Sequence, residues 1–178
     1  REEWLKFTQA LTNLEADVPT GILKTMAGLV TSPGGIVYAR DASEVLRPAG
    51  HWNCDSHGAT AELGNMAEWI VRTGWVIDLE EWRASPDLYG DLELPAWLQS
   101  SQQLWLIVPL LFEERLEGML LLRPPKQARH LNWEDRDLLK TAGRQAAALL
   151  AQHRASQALV EARQFEAFNR LSAYVIHD

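Results

Sequence analysis

His177 is followed directly by Asp178 at the far end of a long helical pattern. A neutral imidazole nitrogen is a nucleophile able to accept a phosphoryl group, and a neighbouring carboxylate can fix the ring tautomer or take its proton. The plainer reading of such a pair is a solvated helical histidine. A second cluster, His51-Trp52-Asn53-Cys54-Asp55-Ser56-His57, sets the chain's one cysteine between two histidines. Its spacing permits a metal half-site, a redox thiol or a chromophore attachment point. A metal would need a fourth ligand, and Asp55 should raise rather than lower the thiol pKa. A plain loop thiol is therefore the expectation, and no metal site is assigned. The chain also carries 8 tryptophans, of which Trp4 and Trp105 read as core filling.

The elements that must position these residues follow from periodicity. Trp4, Phe7, Leu11 and Leu14 mark one helical face, and Asp17-Val18-Pro19 breaks it. Thr20 is placed to cap a second helix with its stripe at Ile22, Leu23, Met26, Ala27 and Val30. After Ser32-Pro33-Gly34-Gly35, the runs Ile36 to Arg40 and Glu44 to Pro48 around a polar turn predict a hairpin. His51 to Thr60 reads as a loop. Leu63, Met66, Ala67 and Ile70 give a third helical stripe, and Gly74 sits where a left-handed cap belongs. Trp75 to Leu79 is a strand candidate, and the acidic stretch from Glu80 to Ala96, punctuated by Pro86, Gly90 and Pro95, suggests a surface excursion. Leu104 to Phe112 and Leu116 to Arg123 are apolar enough to be central strands covered on both faces.

From Asn132 the character changes. Asn132 is a good N-cap, Glu134 and Asp135 suit the first turn, and no proline follows. As one helix, Trp133 to Asp178 would span about 69 Å at about 1.5 Å per residue. Leu138, Leu139, Ala142, Ala146 and Leu149 can pack on a sheet; the rest must leave the domain. The stripe thins at His153, Ser156, Leu159 and Val160, then strengthens at Phe165, Phe168, Leu171 and Val175, which predicts a homodimer through a coiled coil or bundle. His177 lies off that seam.

Composition narrows the function classes. With 17 Lys and Arg against 24 Asp and Glu, the net charge of -7 leaves no broad cationic field, so nucleic acid is not an expected partner. No apolar run approaches the roughly 20 residues of a membrane helix. One cysteine excludes an internal disulfide framework. The abrupt ends read as those of a piece of a longer chain. No glycine-rich lid or phosphate loop is present, so this stretch by itself is expected to be catalytically silent.

The order of helix, helix, hairpin, helix, strand, excursion, two central strands and exit helix resembles a GAF domain. The resemblance rests on Leu106-Ile107-Val108-Pro109-Leu110, on Leu116-Glu117-Gly118-Met119-Leu120, and on Leu131-Asn132-Trp133-Glu134-Asp135 with Leu138-Leu139, Ala142, Gln145-Ala146 and Ala148. Phe165-Glu166-Ala167-Phe168-Asn169-Arg170-Leu171-Ser172-Ala173-Tyr174-Val175-Ile176-His177-Asp178 is similar to the approach to the H-box of a sensor histidine kinase, and its wording from Phe168 is closest to the kinases of the PEP-CTERM exopolysaccharide system (PrsK-type).

The resemblance implies an α+β fold, with an antiparallel sheet of about five to six strands flanked by helices. It places a GAF sensory domain over residues 1–150 and a signalling helix entering the dimerisation and phosphotransfer region over 151–178. His177 would be the phosphoacceptor and Asp178 its proton acceptor or orienter. ATP and Mg²⁺ would belong to the parent kinase's own ATP-binding domain, and a response-regulator receiver domain would take the phosphoryl group. The implied setting is cytoplasmic, with the parent anchored in the inner membrane. Trp52, Trp69, Trp75 and Trp82 fall where GAF domains wall a ligand cavity, so they either box an unidentified small molecule or pack the cavity shut. Cyclic nucleotides are disfavoured because the Asn-Lys-Phe-Asp-Glu signature is not discernible. Bilin-binding GAF domains commonly place His directly after Cys, whereas Asp55 stands here. Two rival readings are a module of a cyclic-di-GMP enzyme or transcription regulator, with the helix only as linker, and a free-standing methionine sulfoxide reductase. The last needs several cysteines and ranks lowest.

Overall fold

The computed structural model describes residues 2–12 and 17–177; Leu14 and Asp178 lie outside them. The elements are α1 (Glu2–Thr12), α2 (Val18–Leu29), β1 (Gly35–Arg40), β2 (Leu46–Trp52), α3 (Met66–Thr73), β3 (Ile77–Asp78), α4 (Leu79–Ala84), a 3₁₀ turn (Pro86–Tyr89), α5 (Ala96–Gln99), β4 (Leu106–Phe112), β5 (Arg115–Leu122) and α6 (Trp133–His177). The architecture is α+β. One antiparallel sheet of five strands runs in the order β2-β1-β5-β4-β3.

Strand residues alternate between faces, so the sheet builds two cores. Val37, Leu106, Val108, Leu110, Leu120 and Leu122 face α1, α2 and α6, where Phe7, Ile22, Met26, Leu139, Ala142 and Ala146 are buried. Ile36, Tyr38, Ile107, Met119 and Leu121 face the other way, against Met66, Trp69, Ile70, Leu79, Tyr89 and Leu98. This explains the nearly unbroken apolar runs of β4 and β5, which lie inside the sheet and are covered twice. Glu113 (φ 50°) and Glu114 (φ 64°) are both left-handed in the turn joining them. That geometry matches the twist of a tight hairpin, although Asn-Gly would adopt it more readily.

Several expectations are corrected. Asp17, not Thr20, caps α2: its carboxylate accepts from the Thr20 backbone N–H at 3.3 Å and the Thr20 hydroxyl at 2.8 Å. Pro19 therefore sits in the first turn, where a missing N–H costs nothing. β2 continues through His51 and Trp52, which were expected in a loop; a bulge between Val37 and Tyr38 absorbs the register shift. Only Ile77 and Asp78 of the run from Trp75 to Leu79 pair as strand. Asp78 ends the strand by capping α4, accepting from Glu80 N–H at 3.1 Å and Glu81 N–H at 3.3 Å. α3 begins at Met66, with Leu63 buried ahead of it, and Gly74 forms the expected left-handed cap at φ 66°. The stretch from Glu80 to Ala96 runs over the surface as expected, with most of its residues exposed, but it is anchored at a few points. Tyr89, Leu92 and Leu94 turn inward and roof the second core, because proline and glycine set where a chain turns but not which side its apolar residues face.

α6 begins with a reciprocal cap. Asp135 N–H donates to Asn132 Oδ1 at 2.8 Å, and Asn132 N–H donates to Asp135 Oδ2 at 3.1 Å. Arg129 pairs with the same carboxylate. Up to Leu150 the helix lies on the sheet, so close that a Cβ on Gly143 would sit 2.5 Å from the Pro109 carbonyl oxygen. Replacing Gly143 by alanine adds about 1 kcal/mol of helix propensity. Pushing the helix off β4 should cost more than that, about 1–3 kcal/mol. Gly143→Ala is expected to lower the thermal midpoint by a few degrees; an unchanged or raised midpoint would show that the contact is not close.

Candidate functional site

The tail of α6 and the place where it leaves the sheet form the first candidate region. Leu139, Ala142, Ala146, Ala147 and Leu150 are buried; beyond them Leu159, Val160, Phe165, Phe168, Leu171, Tyr174 and Val175 are exposed. The helix continues without a break through these residues and its backbone reaches His177. Only the helical backbone of His177 is described.

At the exit point α6 is tied to both hairpins by charge. Glu117, only 4% exposed, is bonded by Arg154 Nη2 at 3.0 Å and approached by Arg115 Nε at 3.7 Å. Arg115 also donates to Glu44 Oε2 at 2.8 Å, and Arg40 donates to the Leu116 carbonyl at 2.8 Å and the Glu44 carbonyl at 2.5 Å. The bond from Arg115 holds the Glu44 carboxyl below its ordinary range, while burial lowers the Arg40 guanidinium and Arg115 repels it. A buried carboxylate that loses its cation is strongly destabilised. The thin middle of the stripe is thus explained: Arg154 is occupied by the domain itself. No sequence pattern marked Glu117 or Arg154, because their partners stand far apart in the chain.

The second region is the roofed face of the sheet. Trp69 meets Trp75 edge-on at 5.6 Å between ring centroids and Tyr89 at 5.7 Å, and Trp75 meets Tyr89 at 6.2 Å. Trp82 packs on the same core, but Trp52 packs on the helix-side core. The sheet therefore separates Trp52 from the other three, and the four do not close one box. Trp97 instead stacks on Tyr38 at 6.3 Å and donates its indole N–H to the Glu62 carbonyl at 2.9 Å. It lines an open cleft of about 460 Å³ with Ile36, Leu104, Asp55, His57 and Gln103. Nothing in the sequence set Trp97 apart from the other tryptophans.

A polar relay joins this face to α6. The Tyr89 hydroxyl donates to Glu81 Oε1 at 2.7 Å and accepts from the Asp78 backbone N–H at 3.0 Å. Arg136 of α6 donates to the same Glu81 oxygen at 3.2 Å and to the Val76 carbonyl at 3.1 Å. Burial pushes the Tyr89 hydroxyl up to about 12, so it is a neutral donor at physiological pH. The aromatic cluster is therefore two hydrogen bonds from the first turn of the exit helix.

Around Cys54, His57 Nδ1 pairs with Asp55 Oδ1 at 2.8 Å on the surface. Among the described residues no three His, Cys, Asp or Glu side chains are grouped to hold a metal ion. Nor is any helix among them long and apolar enough to cross a membrane.

No family model and no curated protein matches the sequence. Solved structures do match the fold. The GAF domain of an Acinetobacter phosphoenolpyruvate-protein phosphotransferase aligns at a TM-score of 0.59 and 13% identity, over 86% of this chain and 93% of that one. The GAF domain of the potassium sensor histidine kinase of Escherichia coli aligns at 0.54 and 19%, over 88% and 97%. The chromophore-binding domain of a Stigmatella aurantiaca bacteriophytochrome aligns at 0.60 and 14%, over 84% and 59%. At such identities the likeness shows a shared fold and no more. The fold is that of GAF domains, found in sensor kinases, phytochromes and other signalling proteins.

For a chromophore or redox role Cys54 would need to be a ready thiolate. Burial pushes its thiol above the ordinary value; Arg123 opposes the shift and Asp55 adds to it. Alkylation by iodoacetamide at neutral pH should therefore be slower than that of a free thiol, with the rate still climbing above about pH 9. A half-maximal rate below about pH 8 would mark Cys54 as activated and reopen those roles.

Proposed function

We propose that this chain is the sensory and dimerising part of a two-component sensor histidine kinase. A GAF-fold domain over residues 1–150 biases a signalling helix over 151–178, and that helix presents His177 as the phosphoacceptor. The observation that carries the reading is the single helix, capped at Asn132, packed on the sheet to Leu150 and continuous to His177. A rigid rod rooted in a sensor core can pass a tilt or rotation to its far end, provided the stimulus prefers one state of the domain. The wording around His177, similar to PEP-CTERM-system kinases, supports the same assignment.

In this reading an imidazole nitrogen of His177 takes the γ-phosphoryl group of ATP as the bond to the ADP oxygen breaks. Asp178 holds or receives the ring's other proton. ATP and Mg²⁺ are held by a separate ATP-binding domain of the parent, and an aspartate of a receiver domain takes the phosphoryl group in turn. The protein works as a homodimer in the cytoplasm, on a parent anchored in the inner membrane. The stimulus is a small molecule or partner felt on the roofed face, where the cluster of Trp69, Trp75 and Tyr89 is bonded through Glu81 to Arg136. A second reading, a module of another signalling protein with α6 as linker, draws on the same fold in the Acinetobacter phosphotransferase.

Two measurements decide between them. With [γ-³²P]ATP, the parent kinase should label at His177 with acid-labile phosphate, and His177→Gln should lose nearly all of it. Equal labelling of both proteins removes the phosphoacceptor assignment. Sedimentation should show a dimer whose dissociation constant rises at least about tenfold in Leu171→Asp, since burying a leucine is worth about 2 kcal/mol. A monomer at high concentration would argue for the linker reading.

A further inference from the structure

The charges at the exit of α6 do not balance. Three guanidiniums, Arg40, Arg115 and Arg154, stand against two carboxylates, Glu44 and Glu117. Arg115 pairs with both carboxylates, and Arg154 Nη2 takes Glu117 at 3.0 Å. Arg40 is left with the carbonyl oxygens of Leu116 and Glu44, and no ion pair among the described residues includes it. Arg154 Nη1 is buried without a hydrogen-bond partner; the Glu44 carboxylate, at 3.9 Å, is too far to accept from it. Burial lowers the Arg40 guanidinium, and Arg115 and Arg154 lower it further against the pull of Glu117 and Glu44. A buried N–H of this kind is costly to leave unpaired, and it marks a missing acceptor.

Two clefts reach this cluster, both lined by Arg40 and Arg154. The larger, of about 440 Å³, also carries Asp41, Glu44 and Glu161, which repel an anion. The smaller, of about 250 Å³, lies between the start of α2 and the exit of α6, with apolar walls at Val18, Ala49 and Leu150. Asp17 lines it too; its carboxylate caps α2, but no ion pair among the described residues gives it a cation. Glu117, the other carboxylate here, is already paired. We propose that this smaller cleft binds a compact zwitterion, an amino acid with a short aliphatic side chain. Its carboxylate accepts from Arg154 Nη1 and neutralises Arg40, its ammonium faces Asp17, and its side chain rests on Val18 and Leu150. At about 30 Å³ per water-sized unit the cleft holds about eight, which suits a molecule the size of valine. An inorganic anion would leave the apolar walls and Asp17 unanswered. Val18 and Leu150 belong to the helix-side core, so the site lies across the sheet from Trp69 and Tyr89. A ligand in it bridges α2 to α6. The site is complete within residues 17–157 and does not rest on the phosphoacceptor assignment.

The test is titration of the chain with L-valine, followed by calorimetry and by amide NMR. L-Valine should bind with a dissociation constant of about 1 mM or below. It should move the Val18 and Ala49 amide signals and leave the Trp97 indole N–H, which reports the cleft on the other face, in place. Isovalerate, which is valine without its ammonium, should bind about fivefold more weakly. Asp17→Asn keeps a good helix cap, so the fold is retained. It should weaken L-valine about fivefold and leave isovalerate unchanged or tighter. Arg154→Lys keeps a cation for Glu117 but loses the planar fork, and should weaken both ligands about tenfold or more. His177→Gln should bind as the native chain does. No binding of L-valine up to about 10 mM overturns the proposal. Equal binding of isovalerate and L-valine, unmoved by Asp17→Asn, overturns the zwitterion in favour of a plain anion. Signals that move only around the Trp97 indole, with Arg154→Lys binding unimpaired, overturn the location.

Discussion

A helix of 45 residues has to be accommodated by a sheet whose longest strand has 8. The sheet can cover only as much of the helix as it is wide, so about two fifths of α6, up to Leu150, gains its stability from the core and the rest depends on helix propensity and on whatever packs against it. Close packing sets where the covered part lies. Gly143 lets α6 rest on the Pro109 carbonyl, and the small residues Ala142, Ala146 and Ala147 keep the helix low over β4 and β5. Everything distal is then a lever whose angle is defined at its base.

Two polar arrangements hold that base. At the first turn, Arg136 ties α6 to Glu81 and through it to Tyr89 beneath the roof. At the exit, Arg154 ties it to Glu117 and, across the turn, to the neighbourhood of Glu44 and Arg115. The first links the helix to the roofed face of the sheet, and the second to both hairpins. Glu117 is a buried charge whose separation from Arg154 is costly, whereas Arg136 and Glu81 form a partly exposed pair that is worth less.

Much of this architecture was legible in the linear pattern. The central strands showed as apolar runs, Gly74 as a left-handed cap, Asn132 as the start of α6, and the departure of the helix from the domain followed from length alone. The misreadings share one cause. Asp17, Asp78 and the inward-turned Tyr89, Leu92 and Leu94 all sit where a local signal, a polar residue or a proline, has a meaning that depends on what the chain packs against next. The tryptophans show the same limit: their number stands out, but β2 running on to Trp52 puts that ring on the far side of the sheet from Trp69 and Trp82.

Read alone, the sequence settled the long helices and central strands with their order, the two-sided burial of β4 and β5, and the long helix running to His177, though not the short helices α4 and α5, because the former depend on periodicity, caps and breakers within a few residues. Only the tertiary structure decided which side of the sheet each aromatic ring faces, that Trp97 lines the open cleft, and that Arg154 is spent on Glu117 rather than left for a partner helix. Those outcomes rest on contacts between residues tens of positions apart. Such contacts are chosen by how the sheet closes, and no local pattern encodes that.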